Sequence, residues 1–183
     1  MITVRIESRN SKGEIVGLVE IPAQSLVHNF LRVLRIHMNQ AAASVQTTAG
    51  GWISQDRDDK NFTSTVDAGI IGRGIVVGTI TTPVSISKAT IFGRIPHGTV
   101  GGQLLYQAVT FVAPSDSTSV VTFQMSRLFL NRSTIPATIS EVGIYSAVVG
   151  GTVMIDRTVL PSPVVVPDGG QVTIVYTFRG TLG

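Results

Sequence analysis

The chain contains no cysteine, which excludes disulfide bonds, thiolate metal sites and thiol catalysis. Charge is scarce as well: Asp, Glu, Lys and Arg supply 14% of the 183 residues, where soluble domains carry about 25%. So little charge cannot clothe an ordinary solvated surface, and a lone monomer coated with Ser, Thr, Gly and exposed Val or Ile tends to associate. A subunit of a larger assembly buries such a surface, because interface cores are depleted in charge. Aromatics make up 6%, with Trp52 the one tryptophan, which is thin material for a carbohydrate-binding platform. No apolar run approaches the roughly 20 residues that span a bilayer. The start, Met1-Ile-Thr-Val-Arg-Ile-Glu7, lacks the apolar core of a secretory signal. The expectation is therefore a chain made in a cytoplasm, with no membrane partner.

The sign of the charge is less informative. A pI near 9.7 suggests nucleic acid, but the net charge is +3 and the arginines are scattered from Arg5 to Arg179. A phosphate footprint needs several cations converging on one face. No specific nucleic-acid partner is expected.

What is present is mostly strand signal. Ile2, Val4 and Ile6 alternate with Thr3, Arg5 and Glu7, the period of a half-buried strand. A turn-rich stretch and a second apolar run ending at Pro22 make residues 1–22 a β-hairpin. Residues 25–40 change period. Val27, Leu31, Leu34 and Met38 recur at helical spacing with Phe30 alongside, and Ser25 is placed to cap an amphipathic helix. Residues 41–68 lose periodicity and read as a long extended loop or arm, with Trp52 and Phe62 as its large apolar anchors.

From residue 69 onward the reading is β throughout. Gln103 to Val112 is strand-like, and Pro114 to Thr118 reads as a loop. Val121, Phe123 and Met125 share one parity whereas Leu128 and Leu130 take the other, which predicts a bulge or a sheet crossing near Ser126-Arg127. A similar slip separates Ile139 from Val142 and Ile144 around Glu141. Gly150-Gly151 is a two-residue hairpin signal, and Pro167 to Gly170 a turn. In the last strand Val172, Ile174, Tyr176 and Phe178 face one way. The class is mainly β, an antiparallel β-sandwich or jelly-roll-like domain with one helix near the N-terminus.

No catalytic or metal constellation emerges. His28 and His37 lie nine positions apart, two and a half helical turns, and so point to opposite sides; His97 sits in a turn. Asp56-Arg-Asp-Asp59 lacks the central Gly and closing Glu of a calcium loop. Gly72-Arg-Gly74 with Gly78 precedes no helix, so it is no dinucleotide fingerprint. Glu141 with Asp156 or Asp168 would be a carboxylate pair, but no spacing selects it. No catalytic, cofactor-binding or metal residue is assigned, and no enzyme is expected.

Three C-terminal pieces carry a resemblance: Glu141-Val-Gly-Ile-Tyr145, Met154-Ile-Asp-Arg-Thr-Val-Leu-Pro161 and Val166-Pro-Asp-Gly-Gly-Gln-Val-Thr-Ile-Val-Tyr-Thr177. Together they resemble virion structural proteins of tailed bacteriophages, with Gly74 to Thr79 and Asn29 to Leu31 as corresponding upstream parts. The pattern departs slightly, with Ile144 where Leu is common and no acidic turn before Met154. The resemblance implies a virion localisation and a structural subunit, a capsid decoration or minor capsid protein that binds copies of itself and other virion proteins such as the major capsid protein. A tail or baseplate component and a host-surface or glycan-binding fibre module remain alternatives. Phe30, Leu34, Trp52 and Phe62 are the candidate assembly-interface residues.

Overall fold

The computed structural model describes residues 1–24, 28–39, 43–55, 62–83, 85, 87, 89–116 and 119–181. Strands β1 (Ile2–Arg9), β2 (Ile15–Pro22), β6 (Leu105–Asp116), β7 (Val120–Leu130) and β10 (Gln171–Thr181) form an antiparallel sheet in the order β2-β1-β10-β7-β6. The strands β5 (Gly74–Gly78), β8 (Ala137–Val148) and β9 (Gly151–Val166) form a second, in the order β5-β8-β9. The protein is mainly β, a sandwich-like fold whose core lies between the two sheets. Ile6, Phe129, Ile174 and Tyr176 of the first sheet meet Val77, Val142, Ile155 and Val166 of the second in one buried cluster.

Alternation explains the five-stranded sheet. In β10 the inward residues Val172, Ile174 and Tyr176 are fully buried, while Thr173, Val175 and Thr177 on the other face are half-buried. Strand β8 differs because it is central and covered on both sides, so its apolar run is nearly continuous. Its outer face meets the segment running to Ile91, which joins Val76, Tyr145 and Met154 in a small second cluster.

Several sequence expectations need correction. Region 41–68 contains a hairpin, β3 (Ala43–Gln46) with β4 (Trp52–Gln55), which packs on the β8–β9 turn through Thr48 N–H to Thr152 O at 2.8 Å. Its short strands alternate too few apolar residues to stand out by period. Between Gly78 and Leu104, read as β, the described residues form isolated bridges instead of strands. The stretch from Pro114 extends β6 to Asp116 rather than leaving it; β6 is an edge strand, where Pro costs no ladder bond. The β8–β9 loop is Val149-Gly150, one residue earlier than expected, because Gly151 already pairs with Val148 and Gly150 carries the positive φ of 81°. The helix α1 (His28–Asn39) buries Val33 and Ile36 and leaves Leu31 and Leu34 exposed, the reverse of the stripe read from spacing. Two apolar stripes compete on this helix, and the one containing Val33 faces β3 and β9. Ser25 and the Asp56–Asp59 motif lie outside the described residues.

Strand β7 itself carries no bulge at Ser126-Arg127; the irregularity lies on β6, whose register shifts between Tyr106 and Val109 opposite Arg127 to Phe129. The β7–β10 register runs unbroken from Val120 to Leu130, and Met125, Arg127 and Phe129 are all buried on one face. A fully buried arginine at a core position had mimicked a parity change. Its guanidinium lies 4.8 Å from the Tyr106 ring centroid and donates to four backbone carbonyls: Nε to Gln107 at 2.7 Å, Nη1 to Arg73 and Ile75 at 3.0 Å each, and Nη2 to Ile70 at 2.6 Å. Arg127 thus ties β6 and the entry to β5 onto β7. The slip around Glu141 is present, since the β8–β9 register shifts between Ile139 and Glu141.

Candidate functional site

At the end of the sandwich where β8 turns into β9, the sheets part and leave an apolar cleft of about 470 Å³. One wall is the inner face of the five-stranded sheet: Phe111 on β6, Phe123 and Met125 on β7, and Phe178 on β10. Phe111 lies opposite Met125, and Phe123 opposite Phe178, in the ladder. The Phe123 and Phe178 rings stack with centroids 4.3 Å apart and planes 2° from parallel. Ile144 and Ile155 form the facing wall, and Phe30 of α1 and the segment Phe62 to Thr65 close the sides. Thus five of the seven phenylalanines line one cleft.

None of the described lining residues ionises. The polar groups are hydroxyls, of which Ser64 and Ser146 hydrogen-bond each other. The surface these residues offer is apolar, and covering it excludes water. Phe111 is 47% exposed and Phe123 37%, and fully covering a Phe side chain contributes about 1.5–3 kcal/mol.

The interface residues expected from sequence fall into two groups. Phe30 and Phe62 come together in the cleft. Leu34 and Trp52 do not line it, and both are exposed, with the Arg32 guanidinium 4.8 Å from the Trp52 ring centroid. Sequence reasoning missed Phe111, Phe123 and Phe178. Their period-two spacing was visible, but it is identical to that of covered core residues.

Of the carboxylates considered for a catalytic pair, Glu141 and Asp156 are fully buried and separately engaged. Glu141 Oε2 accepts from Arg157 Nε at 2.7 Å, and Oε1 accepts from Phe92 N–H at 2.7 Å. Burial pushes the Glu141 carboxyl above its ordinary range, against the pull of Arg157 and the Phe92 amide. Arg157 continues to the carbonyls of Thr82 at 3.0 Å and Pro83 at 3.2 Å, so the pair pins the covering segment to the outer face of β8 and β9. Asp156 Oδ2 instead accepts from Tyr176 of the opposite sheet at 3.0 Å and from Thr158 at 3.1 Å. The first pair ties the covering segment to its sheet, and the Asp156–Tyr176 bond links the two sheets. Asp168 lies in the turn to β10. Among the described residues no three His, Asp or Glu side chains gather as a cation site, and no helix is long and apolar enough to cross a membrane. Comparison with protein-family models, curated proteins and solved structures finds no match to the chain.

Proposed function

We propose that this chain is a non-enzymatic structural subunit of a bacteriophage virion, a capsid decoration or minor capsid protein that adds cohesion through apolar and neutral contacts. The observation that carries the reading is the open cleft with its five phenylalanines. A cleft whose described lining is apolar suits an apolar side chain of a neighbouring protein, and repeated over many copies such modest contacts multiply by avidity. The low charge of the chain and the resemblance of its closing strands support the same reading. Mass spectrometry of separated heads and tails is the test. Recovery with heads is expected, recovery with tails would select the tail or baseplate alternative, and absence from purified virions would overturn both.

One observation favours a second reading, a host-surface or glycan-binding module: Trp52 is 57% exposed, and sugars stack on such rings. It predicts binding by the isolated protein that Trp52→Ala abolishes, and flat glycan arrays and cell-binding assays would remove it.

A further inference from the structure

The two edges of the five-stranded sheet differ in kind. Edge strand β6 has register shifts between Tyr106 and Val109 and between Val112 and Ser115, and carries Pro114. Such interruptions block pairing with another strand. Strand β9, at an edge of the other sheet, is likewise interrupted around Pro161 and Pro163. By contrast β2 keeps an unbroken register against β1 from Gly17 to Pro22, its one shift lying beyond Gly17. Its one charge is Glu20, and Leu18 is 54% exposed.

The hydrogen bonding of β2 shows which backbone groups face outward. Ala23 N–H donates to Ile2 O at 2.9 Å. Antiparallel pairs alternate between bonded and non-bonded, so along the unbroken register Ile21, Val19 and Gly17 direct their amides and carbonyls to β1. Leu18 and Glu20 direct theirs away. Pro22, which has no N–H, falls on the same outward parity, where it breaks no bond to β1.

We propose that this edge pairs with β2 of a second copy of the chain, antiparallel about a two-fold axis through Val19, joining two five-stranded sheets into one. The register follows by elimination. An axis at Glu20 sets two carboxylates face to face and places Pro22, without an N–H, opposite Leu18. An axis at Leu18 brings Glu20 opposite Val16, where the register shift has displaced the ladder. With the axis at Val19, Leu18 lies opposite Glu20 of the second copy and Glu20 opposite its Leu18. Those two pairs exchange about four backbone hydrogen bonds, which use every outward N–H and C=O of Leu18 and Glu20. The aliphatic stem of Glu20 then lies along Leu18, while Arg5 stands opposite Glu20 on β1. This deepens the assembly reading above by naming one partner. Absence from virions would end that reading and leave the dimer standing, whereas a monomeric chain would end the dimer alone.

Light scattering on the purified full chain should give twice the 19.4 kDa protomer mass. Since the chain has no cysteine of its own, introduced thiols report the register. Val19→Cys lies at the axis in a non-bonded pair with Cα atoms about 4.5 Å apart, within disulfide reach. It should convert mostly to covalent dimer under mild oxidation. A mixture of Leu18→Cys and Glu20→Cys chains, both altered at exposed positions, should cross-link, while each alone should not, their twins lying about 8 Å apart. A monomer at high concentration would overturn the proposal. So would a dimer in which Leu18→Cys alone cross-links as well as the mixture, or in which neither Val19→Cys nor the mixture does.

Discussion

Raising the pH offers a test of the packing, because all three tyrosines of the chain, Tyr106, Tyr145 and Tyr176, are fully buried. Burial raises the phenol of each above its ordinary 10.0, and at Tyr176 the neighbouring Asp156 carboxylate raises it further. The unfolded chain releases tyrosine protons from about pH 10 while the folded chain keeps them. The folded state then binds more protons, so stability falls as pH rises above about 10, by at most about 1.4 kcal/mol per pH unit for each tyrosine until its own folded value is reached. Arg127 acts in the opposite sense. Burial pulls its guanidinium below the ordinary 12.5, a shift of the opposite sign that offsets part of the loss. Three phenols outweigh one guanidinium, so the net effect is a loss that grows above pH 10 and draws on a stability of about 5–15 kcal/mol. Tyrosinate absorbance should therefore stay flat through pH 10 and then rise in one step, together with loss of the far-ultraviolet β signal. A phenol that titrates near pH 10 while that signal is intact would refute the reasoning.

Arg127→Met should cost about 3–5 kcal/mol in a urea titration, since it strips four buried carbonyls of a charged donor; Arg127→Lys, unable to span the same four, should fall between that variant and the parent. Glu141→Ala removes the buried carboxylate that accepts from Arg157 and from the Phe92 amide and should cost about 1–3 kcal/mol. Limited proteolysis of that variant should show cutting first in the segment holding Thr82 and Phe92, the part the ion pair pins. At Gly74 the backbone has φ 76°, and an added Cβ would meet Val109 Cγ2 at 2.5 Å and Val66 Cγ1 at 2.9 Å. Gly74→Ala should thus cost more than about 1 kcal/mol by thermal melt, whereas Gly13→Ala, strained at φ 84° but with open space around it, should cost less. Phe111→Ser should move stability by at most about 1 kcal/mol, because the ring is already half in water, yet should lower incorporation into particles when expressed in place of the parent.

The β class, the turn at Pro167 to Gly170, the slip around Glu141 and the facing of Val172, Ile174 and Tyr176 were all legible in the sequence. Each depends on local rules: alternation every second residue, or a residue type that one backbone shape demands. The inward position of Arg127 was not legible, because a charge at a core position looks like a change of parity until the four carbonyls that receive it are seen. Nor was the buried face of α1, since two stripes of comparable apolarity compete and the neighbours β3 and β9 select between them. The cleft depended most on tertiary structure. Phe123 and Phe178 follow the same period as Met125 and Tyr176, and alternation states which residues share a face without stating what covers it. The facing sheet covers one end of that face and parts from the other, and this separation turns core-patterned phenylalanines into an open apolar surface.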